Sequence, residues 1–328
     1  MTDARLLDRP QVPEALRVAV LLPCYNEAAA IGGTVTQFAA ALPGAAIYVF
    51  DNNSADATAQ VARAAGAIVR RVRQQGKGHV VRRMFADIDA DIYVMADGDA
   101  TYEAAAAPAL IAAMLDDNCD MVVGARRSEV EAAYRRGHRL GNRLLTGLLR
   151  QLFGRSFTDI LSGYRVFSRR FVKSFPVLSA GFEIETEISV HALELRMPVG
   201  EIVTAYAARP EGSHSKLSTF RDGWRILRMM IQLYRTERPL WFFGAIGAGF
   251  ALLGFALGLP VVSTYFETGL VPRFPTVIAI VGMGILAGLN VMCGLILDTV
   301  TRGRQEMKRL AYLALPSPLA ALEARQSP

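Results

Sequence analysis

The chain of 328 residues is poor in cysteine, and over two long stretches it carries no charge at all. Its three cysteines, Cys24, Cys119 and Cys293, lie far apart and lack the spacing of metal ligands. That argues against a disulfide framework or a zinc site and fits a cytoplasmic catalytic part. The four histidines, His79, His138, His191 and His214, show neither metal spacing nor a Ser or Cys partner pattern, so they read as structural or surface residues. Only His214, inside Gly212-Ser213-His214-Ser215-Lys216, is placed to touch a phosphate. Met1 to Leu16 is polar and holds no apolar core, which argues against a cleavable signal. Internal repeats and low-complexity linkers are absent, and the tail after Leu315, with Pro316, Pro318 and Pro328, is expected to be loosely ordered.

Leu240 to Phe266 and Phe274 to Leu297 contain no charged residue. Each exceeds the roughly 20 residues a helix needs to span a bilayer. Neither run has a polar face, and Gly244-Ala245-Ile246-Gly247 and Gly282-Met283-Gly284 are patterns common inside membranes. Two transmembrane helices, 240–266 and 274–298, joined by the loop Glu267 to Arg273, are therefore expected. Arg221, Arg225, Arg228, Arg235 and Arg238 precede the first run, and Arg302, Arg304, Lys308 and Arg309 follow the second. The positive-inside rule then puts both termini in the cytoplasm, as in a multi-pass inner-membrane protein. The net charge of +6 comes partly from these flanks. It points to membrane lipids and phosphate substrates, with no nucleic acid partner.

The first 125 residues alternate apolar runs with helix-like segments. Val18 to Leu22, Ile47 to Phe50, Ile68 to Val72, Ile92 to Ala96 and Met121 to Val123 read as strands. Glu27 to Leu42, Ala55 to Gly66, Lys77 to Ile88 and Ala104 to Asp117 read as helices. The alternation predicts a doubly wound α/β fold with a mainly parallel sheet. Ligands of such sheets bind at the carboxyl ends of the strands, where Asn26, Glu27, Asp51, Asn52, Asn53, Asp97 and Asp99 all fall. Asp97-Gly98-Asp99 stands just past the run Asp91 to Ala96. Two carboxylates one residue apart form a hard-oxygen site suited to Mg²⁺ or Mn²⁺ on a diphosphate, although Asp-Gly-Asp is also ordinary turn chemistry.

Two later segments are amphipathic and basic. Within 134–153, Leu140, Leu144, Leu145, Leu148, Leu149 and Leu152 make an apolar stripe beside Arg135, Arg136, Arg139, Arg143 and Arg150. Phe220, Trp224, Leu227, Ile231 and Tyr234 repeat at helical spacing among further arginines. Helices of this composition lie at a membrane surface or pack on a core, and the apolar runs that follow favour the surface.

The succession Leu22-Pro23-Cys24-Tyr25-Asn26-Glu27, Phe50-Asp51-Asn52-Asn53-Ser54-Ala55-Asp56, Gly76-Lys77-Gly78 and Asp97-Gly98-Asp99 resembles the family-2 inverting glycosyltransferases of the GT-A fold. Ser162-Gly163-Tyr164-Arg165-Val166-Phe167, Gly181-Phe182-Glu183-Ile184-Glu185 and Arg209-Pro210-Glu211-Gly212-Ser213-His214-Ser215-Lys216 resemble the polyprenyl-phosphate branch, the dolichol-phosphate mannose synthase-like enzymes. The two-span hairpin suits the bacterial undecaprenyl-phosphate glucosyltransferase type. The resulting layout is an N-terminal extension (1–16), a Rossmann-like GT-A domain (17–217), a juxtamembrane amphipathic helix (218–239), the two spans within 240–300 and a cytoplasmic tail (301–328).

The resemblance implies a nucleotide-sugar donor, a UDP- or GDP-hexose with UDP-glucose first, and a polyprenyl phosphate acceptor. Pro23, Asn26, Glu27 and Asp51 would hold the nucleoside, with Asn53, Lys77, Asp97 and Gly98 completing the donor side. Asp99 would ligate the metal; Asp97 would join it or contact the ribose. Ser54 and Asp56 read as N-caps of the following helix. In the dolichol-phosphate relatives a Gln two places after the second Asp meets the metal, whereas Thr101 stands here, so either its hydroxyl or a water takes that position. Arg126, Arg165, Arg209 and Lys216 fall where the resemblance places acceptor-phosphate cations, with Arg127 and Arg139 as weaker candidates. Glu183 or Glu185 would meet the sugar hydroxyls.

A processive polysaccharide synthase would carry more spans and a Gln-x-x-Arg-Trp motif. A sugar-nucleotide pyrophosphorylase would carry a Gly-rich N-terminal phosphate loop. The closest rival is a glycolipid synthase with a diacylglycerol acceptor, whose neutral hydroxyl needs a general base. A hairpin with glycine-rich faces is compatible with homo-oligomers.

Overall fold

The computed structural model describes residues 12–127, 146–151, 154, 157–181, 183–207 and 219–326, the last range with side chains from Arg228 onward. It forms two compact units, Met1–Gly223 with Lys308–Pro328, and Trp224–Met307.

The first unit is built on a 7-stranded sheet. Its strands are β1 (Val18–Cys24), β2 (Ala46–Asp51), β3 (Ile68–Arg71), β4 (Ile92–Met95), β5 (Met121–Arg127), β6 (Arg165–Ser168) and β7 (Val199–Ala205), in the order β3-β2-β1-β4-β6-β5-β7. Only β6 runs against its neighbours; the other pairs are parallel. Helices α1 (Ile31–Ala41), α2 (Thr58–Ala64), α3 (Lys77–Asp87) and α4 (Ala107–Asp116) alternate with the first five strands, and α5 (Arg169–Ser174) and α6 (Ile184–Glu194) follow β6. This is the doubly wound, mainly parallel sheet expected from the β/α alternation.

Every residue of β4 is buried, as a strand covered on both faces must be, which is why it reads as an unbroken apolar run. Edge-to-face ring pairs pack the two layers: Phe38 of α1 meets Tyr164 at 6.2 Å, and Phe85 of α3 meets Phe167 at 5.6 Å. Helices α1 and α2 begin later than their apolar periodicity suggests, at Ile31 and Thr58. The residues before them are held by bonds between loops. Asn26, at φ 54°, turns the chain after β1, and the Glu27 carbonyl accepts from both Ala30 and Ile31 N–H.

The C-terminal segment corrects the expectation of a loose tail. Pro318–Gln326 forms a helix, α10, and Lys308–Pro328 belongs to the first unit. Lys308 pairs with the enclosed Glu194 at 2.6 Å, and the Tyr312 hydroxyl donates to Asp120 at 2.8 Å beneath the Arg170 guanidinium. Arg325 pairs with Asp91 at 3.0 Å. These partners lie at the amino-terminal ends of β4 and β5 and at the end of α6. Prolines suggested looseness, but Pro318 opens a helix, a position that suits proline because no N–H is needed there.

The second unit holds most of α7 (Thr219–Glu237), all of α8 (Pro239–Thr268) and the greater part of α9 (Phe274–Leu313). Helices α8 and α9 are long and apolar enough to cross a membrane. They approach closely at Gly247, where an added Cβ would lie 2.9 Å from the Ala287 carbonyl oxygen. Leu252, Phe255, Phe266, Ile285 and Leu289 are exposed on their outer faces. The second amphipathic stretch is helical as α7, whereas most of 134–153 lies outside the described residues.

Candidate active site

The site is assembled at the carboxyl ends of β1, β2 and β4. The loops after β1 and β2 are fastened to each other: Asn52 N–H donates to the Cys24 carbonyl at 2.9 Å, Asn26 N–H to the Ser54 hydroxyl at 2.9 Å, and Ala55 N–H to Asn26 Oδ1 at 2.8 Å. Asp56 Oδ2 accepts from Ala28 N–H at 3.1 Å, while its Oδ1 accepts from the Thr58 N–H and hydroxyl. Ser54 and Asp56 are therefore loop ties and not the expected caps; the N-cap position of α2 is Ala57. Asn52, buried, donates to the Val72 and Gln74 carbonyls and accepts from Gly76 N–H. Asn53, at φ 62°, donates to the Arg73 carbonyl at 2.6 Å.

Four carboxylates converge here. Glu27, Asp97, Asp51 and Asp99 all act on the buried Cys24 thiol, which burial first and then these charges push well above its ordinary value. Asp51 and Asp99 are themselves buried. Asp51 Oδ1 accepts from Ser54 N–H at 3.1 Å. Between the two aspartates only glycine fits, because a Cβ on Gly98 would lie 2.3 Å from Cys24 Sγ. Tyr102, just beyond, accepts from Gly163 N–H at 2.8 Å and so ties the Ser162-Gly163-Tyr164-Arg165 turn beside Asp97.

Lys77, the first residue of α3, reaches into this group. Its Nζ lies 2.5 Å from Asp97 Oδ1 and 2.6 Å from Glu185 Oε1, with the side chain 9% exposed. Burial alone would lower its pKa, but Asp97 and Glu185 outweigh that and hold the ammonium charged, above the ordinary lysine value. The glycines around Lys77 serve a close approach, although the approaching backbone is the chain's own. A Cβ on Gly76 or Gly78 would meet the carbonyl oxygen of Ala180 at 2.2 Å or of Ser179 at 2.1 Å. Glu187 fixes that segment by accepting from Leu178 N–H at 2.8 Å and Ser179 N–H at 2.7 Å. Acidic residues in the first turn of a helix are common for dipole reasons, so nothing in the residue pattern marks Glu187 as the fastening of a loop.

The donor set around Asp97 and Asp99 suits a divalent cation that brings ligands with it. Among the described residues no group of three or more His, Cys, Asp or Glu is disposed to hold a metal by itself. Two hard carboxylates completed by phosphate oxygens are the usual provision for Mg²⁺ or Mn²⁺. Thr101 is turned toward Asp99 itself. Its hydroxyl is enclosed and donates to Asp99 Oδ1 at 2.6 Å, which orients that carboxylate.

The arginines expected at the acceptor divide sharply. Arg165 is wholly buried: it donates to the Ser162 and Ile160 carbonyls and to the Ser189 hydroxyl, and burial brings its pKa down to about 10. Enclosed in this way it braces the turn and presents no donor to a phosphate. Arg126 forms a two-pronged pair with Asp159, at 2.6 and 2.8 Å, and lies over the Tyr206 ring. A guanidinium already paired with its own carboxylate would have to share or leave Asp159 to meet a phosphate. Arg209, Lys216, Arg139, His138 and His214 lie outside the described residues. His191 is buried against Phe171 and Phe175, as a structural histidine should be.

Comparison with known proteins fits this geometry. The family model "Glycosyl transferase family 2" matches residues 19–175, from β1 to just past α5. Glycosyltransferase AglJ of Haloferax volcanii is 34% identical over 92% of this chain and 100% of its own length. The dolichyl-phosphate hexose transferase of the same organism is 26% identical over 67% of this chain and 95% of its own. Among solved structures, the Mycobacterium tuberculosis glucosyl-3-phosphoglycerate synthase in complex with Mn²⁺, UDP-glucose and phosphoglyceric acid is similar, with TM-score 0.50 and 25% identity, covering 60% of this chain and 73% of that one. With the carboxylate cluster at the expected sheet edge and a full-length relative of this kind, the chain belongs to glycosyl transferase family 2 and is a glycosyltransferase.

Proposed function

We propose that the protein transfers a hexose, with inversion, from a nucleoside diphosphate sugar to a polyprenyl phosphate at the cytoplasmic face of the inner membrane, with UDP-glucose the first donor. The observation that carries this reading is one chain holding both a carboxylate cluster at the switch edge of a nucleotide-binding sheet and two helices long and apolar enough to cross a membrane. The relative named dolichyl-phosphate hexose transferase supports the acceptor class.

Asp51 and Glu27 would accept hydrogen bonds from the nucleoside. Asp97 and Asp99 would hold Mg²⁺ or Mn²⁺, which when bound neutralises the charge that builds on the departing diphosphate. Thr101 keeps Asp99 turned toward that role, and Glu185 lies beside Lys77 where a sugar hydroxyl could be met. The acceptor needs no strong base. A phosphate monoester has its second ionisation near about pH 6 and is already an anionic nucleophile at neutrality. It needs cationic positioning. With Arg126 and Arg165 engaged within the fold, that task falls to Arg209 and Lys216.

Lys216→Ala and Arg209→Ala should therefore raise KM for polyprenyl phosphate about tenfold or more while leaving donor KM near the parent value, the loss of one charge-assisted contact. Unchanged acceptor KM in both variants would reject the phosphate acceptor. Transfer to diacylglycerol by the same protein would then favour the glycolipid-synthase reading.

A further inference from the structure

Lys77 stands where two cations would meet. Its ammonium is 2.5 Å from one oxygen of Asp97, a carboxylate assigned above to the divalent ion, and its second partner Glu185 is 2.6 Å away. The side chain has little room to withdraw. It starts α3 immediately after Gly76 at φ 132°, Gly78 N–H is bonded to the Ala180 carbonyl at 3.1 Å, and the Ser179 N–H is in turn held by Glu187. The lysine is 9% exposed and Glu185 is buried, so solvent cannot take up the charge cheaply.

A divalent ion on Asp97 is thus opposed at close range by a fixed positive charge that shares its ligand. A diphosphate changes the balance, because its oxygens can ligate the ion and also give Lys77 a second anionic neighbour. We propose that Lys77 is an internal counter-ion that competes with the divalent cation for Asp97, so that the cation binds weakly by itself and tightly only together with a nucleoside diphosphate. Glu185 acts through Lys77 as a positioning residue, drawing part of the ammonium's charge away from Asp97. The coupling is reciprocal, so the cation strengthens nucleotide binding by the same factor. This inference rests on the reading of Asp97 and Asp99 as the cation site.

The test is Mn²⁺ binding to the full-length protein in detergent, followed by the loss of the free-ion electron paramagnetic resonance signal, with and without UDP. The double variant Lys77→Met/Glu185→Gln removes the ammonium and its buried partner together, so no buried charge is left over. Without UDP it should bind Mn²⁺ several-fold more tightly than the parent: losing the ammonium that shares Asp97 removes about 2 kcal/mol of repulsion on a divalent ion even in a watery dielectric, and losing the Glu185 carboxylate offsets only part of that. Its gain in Mn²⁺ affinity on adding UDP should shrink correspondingly. Glu185→Gln alone should act in the opposite direction, weakening Mn²⁺ binding several-fold, because Lys77 is then left to Asp97. Structural damage would weaken binding in both variants, so the opposed signs are diagnostic. A folded double variant that binds Mn²⁺ no more tightly than the parent overturns the inference. If that variant does not fold, the UDP dependence of Glu185→Gln decides: its gain in Mn²⁺ affinity on adding UDP should exceed the parent's, which structural damage would not produce, and an unchanged or smaller gain overturns the inference. A parent that binds no Mn²⁺ even with UDP rejects the cation site itself, and the inference with it.

Discussion

Replacing Lys308 by methionine removes the cation held 2.6 Å from a Glu194 side chain that is 0% exposed, whereas the lysine itself is 15% exposed. Breaking a buried pair from one side costs about 3–5 kcal/mol, and the partial exposure of the lysine places this one near the lower end, about 3 kcal/mol. For a unit of this size each kcal/mol moves Tm by about 2–4 °C, so the expected fall is about 6–12 °C. The matched control is Arg83→Met, which removes a 2.7 Å pair to Asp87 whose arginine is 59% exposed. Such surface pairs are worth about 0.5 kcal/mol or less, a shift within about 2 °C. The assay is thermal unfolding of the detergent-solubilised protein followed by far-ultraviolet circular dichroism, in the same buffer and detergent for every variant. A Lys308→Met shift no larger than that of Arg83→Met would refute the reasoning that residues after 307 complete the catalytic unit. Truncation of the chain before Lys308 should be destabilising for the same reason.

Acid sensitivity should centre on His191, whose pKa burial first, and then the Lys308 charge, bring down to about 3. An unfolded histidine takes up a proton below its ordinary value of 6.5, and the folded one refuses it until about pH 3, so stability falls as pH drops through that window, by about 2 kcal/mol at pH 5. Denaturant unfolding of His191→Gln should lose that share of the pH dependence; an unchanged slope between the two pH values would remove His191 as its source. Gly98→Ala should impair nucleotide binding, because its Cβ would lie 2.3 Å from Cys24 Sγ, and Cys24→Ala should restore much of it by removing the sulfur. Calorimetric titration with UDP checks both, and failure of the second change to rescue the first would show that the contact is not the cause.

The sheet was legible because its central strands are covered on both faces and therefore read as apolar runs, and because polar residues cluster at their carboxyl ends. Asp97-Gly98-Asp99 was legible for the same reason, since carboxylates directly after a buried strand have only the sheet edge to occupy. The arginines were not. Charge type and proximity to a motif say nothing about which way a guanidinium turns, and Arg165, on the reversed strand β6, turns inward to backbone carbonyls. The Lys77–Glu185 contact joins residues far apart in sequence and shows only once α3 and α6 are packed. The C-terminal segment misled because prolines and small residues suggest looseness, whereas the anchors, Lys308, Tyr312 and Arg325, are ordinary surface residue types until buried carboxylates are found beneath them.

The most direct measurement is transfer of radiolabelled hexose from a panel of UDP- and GDP-sugars into undecaprenyl phosphate by the purified protein in detergent, with Mg²⁺, Mn²⁺ or EDTA, beside an Asp99→Asn variant. Labelled lipid that forms only with the divalent ion, is lost in Asp99→Asn and releases its sugar in mild acid, as a sugar phosphate ester does, is the expected result. Label that enters diacylglycerol or a growing glycan and never the polyprenyl phosphate, or normal turnover by Asp99→Asn, would contradict it.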